Sequence, residues 1–130
     1  MYDKFGQYIN GKWQKSSNEE TYAVLNPATE ETLGMASKAS SKDINDALLS
    51  AKKGLEIWKK TTPWERAKII RRIADLIRKR KEVLAKWITL EVGKPISEAL
   101  GEVGGAADIF EWNSEETKRI YGEIVESRFE

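Results

Sequence analysis

The side chains able to do chemistry in this chain are carboxylates, amines, guanidiniums and hydroxyls; cysteine and histidine are both absent. Disulfides, thiolate metal ligands and thiol nucleophiles are excluded together. So is the residue that most often serves as general base or metal ligand near neutral pH. Serines are plentiful, but a Ser-His-Asp relay has no imidazole to build on. Carboxylates are paired at Glu19-Glu20, Glu30-Glu31 and Glu115-Glu116. None has a metal-ligating or acid/base partner at useful spacing, so each reads as solvated surface. Neither G-x-G-x-x-G nor G-x-x-x-x-G-K-S/T occurs, and no phosphate-cradling loop is assigned. The residues by themselves therefore assign no catalytic and no cofactor-binding position.

Two other groups invite a binding role. Arg66, Lys68, Arg71, Arg72, Arg78, Lys79, Arg80, Lys81 and Lys86 form a basic stretch that could meet an anionic membrane or nucleic acid. Glu65, Asp75, Glu82 and Glu91 interrupt its field, and a solvated helix face is the plainer reading. Trp58, Trp64 and Trp87 lie on or beside apolar stripes, which favours core packing. Trp112 follows Gly105 and Ile109 at helical spacing, and core packing is favoured there too.

These side chains sit on elements legible in the sequence. The 130 residues suffice for one domain or a piece of a larger one. Forty per cent are hydrophobic, and 22 basic against 21 acidic residues leave a net charge of +1. That balance gives no general attraction to nucleic acid. No apolar run reaches the ~18 residues of a membrane span, and the opening Met1 to Phe5 lacks the apolar stretch of a secretory leader. A cytoplasmic protein is the expectation.

Residues 1–40 read as short strands. Asn10-Gly11 between aromatic and apolar residues marks a tight hairpin. A second pair is expected at Tyr22 to Leu25 and Thr32 to Ala36, around a turn at Asn26-Pro27-Ala28-Thr29. Residues 41–122 read as three helices. The first is capped by Ser40-Ser41 and striped by Ile44, Ala47, Leu48, Ala51, Leu55 and Trp58. The second is announced by Thr62-Pro63-Trp64-Glu65, a cap, a first-turn proline and a capping box. Its stripe runs through Ile70, Ile73, Ala74, Ile77, Leu84, Trp87 and Ile88 to a stop at Gly93 and Pro95. The third runs from about Ile96 to Ile120 and contains Gly101, Gly104 and Gly105. Each glycine costs such a helix ~1 kcal/mol relative to alanine, so the close approach of another backbone is expected. Residues 123–130 read as the start of a connection. The fold class expected is α+β, short antiparallel strands and then three long helices.

Tyr8-Ile-Asn-Gly-Lys-Trp13, Asn26-Pro-Ala-Thr-Glu30, Trp58, Glu65-Arg66-Ala67 and Leu90-Glu-Val-Gly-Lys-Pro95 together resemble the N-terminal part of NAD(P)-dependent aldehyde dehydrogenases. Glu111-Trp112 and Lys118-Arg-Ile-Tyr-Gly-Glu123 most resemble the succinate-semialdehyde dehydrogenase branch. The resemblance covers essentially the whole chain. It implies a parent of α/β architecture with a Rossmann-like cofactor domain, of which residues 1–130 would be the N-terminal portion. It implies a parent that oxidises an aldehyde with NAD or NADP, forms a homo-oligomer, and needs neither nucleic acid nor membrane. The family's cysteine nucleophile, glutamate base and cofactor loop have no matching positions here. The isolated chain is therefore expected to hold no cofactor and to be inactive, its partner being the remainder of the parent enzyme. Residue by residue, the resemblance implies that Gly105, Ile109 and Trp112 face the aldehyde tunnel. It also implies a structural monovalent cation held by the Val24 and Leu25 carbonyls and the Glu91 carboxylate; a Glu91 that caps a neighbouring loop is the alternative.

Two other readings stand beside this one. The chain could be a non-catalytic helical interaction module, associating through apolar helix faces. It could also be a basic-helix protein bound to membrane or nucleic acid, with salt-dependent affinity.

Overall fold

Two hairpins precede a helical bundle in a computed structural model that describes residues 6–129. Met1 to Phe5, considered above for a leader, and Glu130 lie outside the described residues. Strands β1 (Gln7–Ile9) and β2 (Lys12–Gln14) pair antiparallel, with Tyr8 opposite Trp13. Asn10 and Gly11 take φ values of 53° and 75°, the left-handed pair that a tight primed turn requires. The Tyr8 and Trp13 rings meet across the ladder at 5.1 Å.

The second hairpin pairs β3 (Thr21–Leu25) with β4 (Thr32–Ser37), with an irregularity between Val24 and Leu25. Its turn is tied by its own polar groups. The Ala28 amide donates to Asn26 Oδ1 at 3.0 Å, and the Glu30 amide to the Asn26 carbonyl at 2.8 Å. Pro27, with no amide to satisfy, fits there without loss.

Helix α1 (Ser41–Lys60) starts at a capping box between Ser40 and Asp43. Helix α2 (Pro63–Lys79) starts at the box between Thr62 and Glu65. The second expected helix is in fact two: at Arg80, φ −109° and ψ 16° end α2 and begin α3 (Lys81–Val92). No proline or glycine marks this break. Arg78, Lys79, Arg80 and Lys81 are consecutive cations, and positive charge favours the end of a helix. Gly93 closes α3 in the left-handed region at φ 77°. Helix α4 (Ile96–Glu116) follows and ends in a 3-10 turn, Thr117–Arg119.

Helices α2 and α3 both pack on α4, and small side chains fill the contact. Among the described residues the buried hydrophobic ones are Ala67, Ala74, Ala85, Ala99, Val103 and Ala107. Ile77, Leu84, Ile88 and Leu100 flank the cluster of Ala85, Ala99 and Val103. The tryptophans expected in a core are not there: Trp58, Trp64 and Trp112 are exposed and Trp87 is half-buried. Alanines at the crossings hold the helices close and leave no space for rings between them. The large side chains of the α1 stripe, Ile44, Leu48 and Leu55, are likewise exposed.

Candidate functional site

The expected tunnel residues Gly105, Ile109 and Trp112 share one side of α4, at spacings of four and three. All three are exposed, Ile109 at 64% and Trp112 at 67%. The expected backbone approach to the glycines is not found among the described residues. A Cβ placed on Gly101 or Gly105 would meet no heavy atom within 4 Å, and one on Gly104 would meet only the end of Lys81 at 3.5 Å. Nothing among the described residues accounts for the helical cost of Gly101 and Gly105.

The three residues of the implied cation site lie on two elements brought near each other. Val24 and Leu25 flank the irregularity of β3. The turn after them abuts the end of α3, where a Cβ on Gly93 would stand 3.0 Å from Pro27 Cγ. Glu91 lies two residues before that contact, on the last turn of α3. Among the described residues no three Asp or Glu side chains converge as a metal-ligating group.

Beside Glu91, an apolar groove of about 350 Å³ runs between α2, α3 and α4. Ile77, Leu84, Trp87, Ile88 and Val103 are among its lining residues.

The basic stretch is partly consumed by structure. The Arg66 guanidinium donates to the Trp58 carbonyl at 2.7 Å, closing the end of α1, and stacks on the Trp58 ring at 5.5 Å. Arg71 reaches Glu111 at 2.8 Å, and Arg78 pairs with Asp108 at 2.7 Å and with Glu111. These bridges link α2 to α4. They hold Arg78 above the usual guanidinium range, through the hydrogen bonds it donates to Asp108 and Glu111. Lys118, at 2.9 Å, does the reverse for Glu115, holding its carboxyl below the usual range.

One residue missed by sequence reasoning organises the first half of the chain. Asp43 is 2% exposed. Its carboxylate accepts from the Ser40 amide at 2.9 Å, the Ser16 hydroxyl at 2.9 Å and the Ser17 amide at 3.1 Å. The Ser40 amide is the main cause of a carboxyl held well below the usual range, with the Ser17 amide and Ser16 hydroxyl adding to it and burial opposing them. Ser40 with Asp43 three residues on was a visible signal for the cap. Its bond to the Ser16-Ser17 segment, 27 residues upstream of Asp43, had none. Its partners mark it as a structural tie between the first hairpin and α1.

The chain belongs to the aldehyde dehydrogenase family, whose profile matches residues 13–130. It is 43% identical over 117 residues to the mitochondrial succinate-semialdehyde dehydrogenase of Arabidopsis thaliana, covering 90% of this chain and 22% of that protein. It is 41% identical over 118 residues to a glutarate-semialdehyde dehydrogenase of Pseudomonas putida, covering 91% and 25%. A crystal structure of betaine aldehyde dehydrogenase from Staphylococcus aureus, in complex with NAD+, matches with a TM-score of 0.90 at 30% identity, over 95% of this chain and 26% of that one. An Escherichia coli NADP dependent enzyme matches with a TM-score of 0.89 at 38% identity, over 97% and 27%. The chain spans about a quarter of the length of these relatives. The α+β arrangement of short hairpins and helices is therefore that of a portion of the aldehyde dehydrogenase fold.

Proposed function

We propose that this chain is the N-terminal scaffold of an aldehyde dehydrogenase that oxidises succinate semialdehyde to the carboxylate with NAD or NADP, working as a homo-oligomer. The observation that carries the reading is identity of 43% and 41% to semialdehyde dehydrogenases, sustained over nine-tenths of the chain. The cofactor is not held by these residues. Gly101, Gly104 and Gly105 lie inside α4 and not at the opening of a helix, where a phosphate would find free amides. The chain's own contribution is positional: α4 offers the Gly105, Ile109 and Trp112 side to the aldehyde, and the glycines leave room for it. In this reading the Val24 and Leu25 carbonyls and Glu91 carboxylate hold a monovalent cation, hard oxygen donors suiting such an ion.

Two measurements test this. The purified 130-residue chain is expected to show no aldehyde-dependent reduction of NAD or NADP; reduction that tracks protein concentration sinks the scaffold reading. In the longer enzyme carrying this segment, Gly105→Leu is expected to lower kcat/KM for the aldehyde about tenfold or more, ~1.4 kcal/mol in the barrier. Cofactor affinity and Tm should hold, because a Cβ at Gly105 meets nothing within 4 Å among the described residues. If aldehyde use, cofactor affinity and Tm all fall together, the tunnel assignment is wrong. Glu91→Gln in the same enzyme should abolish any Tm difference between potassium and choline chloride; an unchanged difference removes the cation assignment.

A further inference from the structure

A cleft of about 370 Å³ lies between α2 and the end of α4, on the far side of α4 from Gly105. Ser114, which lines it, is nine residues from Gly105 and so half a turn around the helix. On α2, Trp64, Lys68 and Arg72 follow one another at intervals of four residues, each about 6 Å of rise from the last. Trp64 is 67% exposed. Lys68 and Arg72 make no ion pair or hydrogen bond among the described residues. Their neighbours differ: Arg71 is held by Glu111 at 2.8 Å, and Lys118 by Glu115 at 2.9 Å. Like charges one helical turn apart repel, so the fold keeps an unfavourable pair, with no carboxylate on either cation among the described residues, beside a largely exposed indole.

The cleft is also charged in one sense. Lys68, Arg71, Arg72 and Lys118 face it against Asp75 and Glu115, four cations to two carboxylates. The Lys118 ammonium stands 5.4 Å from the Trp64 ring centroid, over the ring, so one cation lies against the indole and leaves the rest of its surface open. A dianion between Lys68 and Arg72 would relieve their repulsion and accept charge-assisted hydrogen bonds from both. A flat ring attached to that anion would stack on Trp64.

We propose that this cleft binds a small aromatic phosphate of the nucleoside monophosphate class, its phosphate between Lys68 and Arg72 and its ring against Trp64. The site is separate from aldehyde oxidation and does not rest on that reading. AMP is the probe, with adenosine and inorganic phosphate in parallel, followed by thermal denaturation and calorimetric titration of the 130-residue chain. The expected result is a rise in Tm with AMP, and AMP binding about tenfold tighter than phosphate or adenosine. Lys68→Gln with Arg72→Gln should weaken AMP about tenfold or more, and Trp64→Ala should reduce it to the level of phosphate. All three are exposed cleft residues whose substitution leaves the alanine contacts intact. Phosphate binding as tightly as AMP overturns the proposal, the cleft then being a plain basic face. So do AMP binding that the variants leave unchanged and no saturation up to about 10 mM AMP.

Discussion

Asp43 couples this fold to pH through its carboxylate. Its folded carboxyl titrates below the ordinary value, and an unfolded aspartate titrates near ~3.9. The unfolded chain therefore binds more protons than the folded one as pH falls through that range, so stability falls with pH. The contribution is complete above about pH 4 to 5 and is lost on further acidification toward the folded value. Asp43→Asn is expected to have a lower Tm than the parent chain at pH 7, with the gap narrowing steadily as pH falls below about 4. Thermal melts followed by circular dichroism at several pH values check this; a gap that stays constant with pH shows that the carboxylate's charge is irrelevant. The cap itself was readable, since Ser40 and Asp43 stand three residues apart. The bonds from Ser16 and Ser17 were not, because a contact spanning 27 residues leaves no trace in local spacing. Arg71 and Arg78 show the same limit: as part of a basic run they read as solvent-facing, and only the packing of α4 supplies their carboxylates.

Among the elements, boundaries set by backbone chemistry were the legible ones. Asn10-Gly11, Asn26-Pro27, Ser40, Thr62-Pro63 and Gly93 all act where their conformational preferences place them. The break at Arg80 was not legible, because the apolar stripe continues across it and no breaker residue stands there. The glycines of α4 were read as a cost that a closely approaching backbone would explain, and no such backbone lies within 4 Å of a Cβ placed on them among the described residues. Gly101→Ala is accordingly expected to raise the stability of the chain by up to ~1 kcal/mol, since its added methyl meets no heavy atom within 4 Å. Ala85→Leu should do the opposite. Ala85 is fully buried beside Ala99 and Val103, and overpacking there costs ~1–3 kcal/mol. Urea titration measures both; a destabilised Gly101→Ala would reveal a neighbour this arrangement lacks.

For the whole molecule, the balance between buried and uncovered apolar surface governs behaviour. Burial contributes about 0.8 kcal/mol per methylene-sized group, so a core made mainly of alanine methyls is thin. Meanwhile Ile44, Leu48, Leu55, Ile109 and Trp112 remain exposed. The isolated chain is therefore expected to self-associate, with a sedimentation mass that rises with concentration and changes little with salt. A compact monomer with a sharp, concentration-independent melt contradicts this. Association abolished by salt would instead favour a charge-driven partner for α2. No helix among the described residues is long and apolar enough to cross a membrane.

The alanine-lined contact of α4 with α2 and α3 also inverts the usual pattern of mutational tolerance. In most domains the bulkiest interior side chains are the least replaceable. Here, among the described residues, the smallest ones are: Ala74, Ala85, Ala99 and Ala107 have no exposed surface, so every replacement except glycine adds atoms where there is no space. The tryptophans at 64 and 112 can drift without loosening the bundle. A library of all single substitutions, sorted for folded chain alone, would show its deepest depletion at alanine.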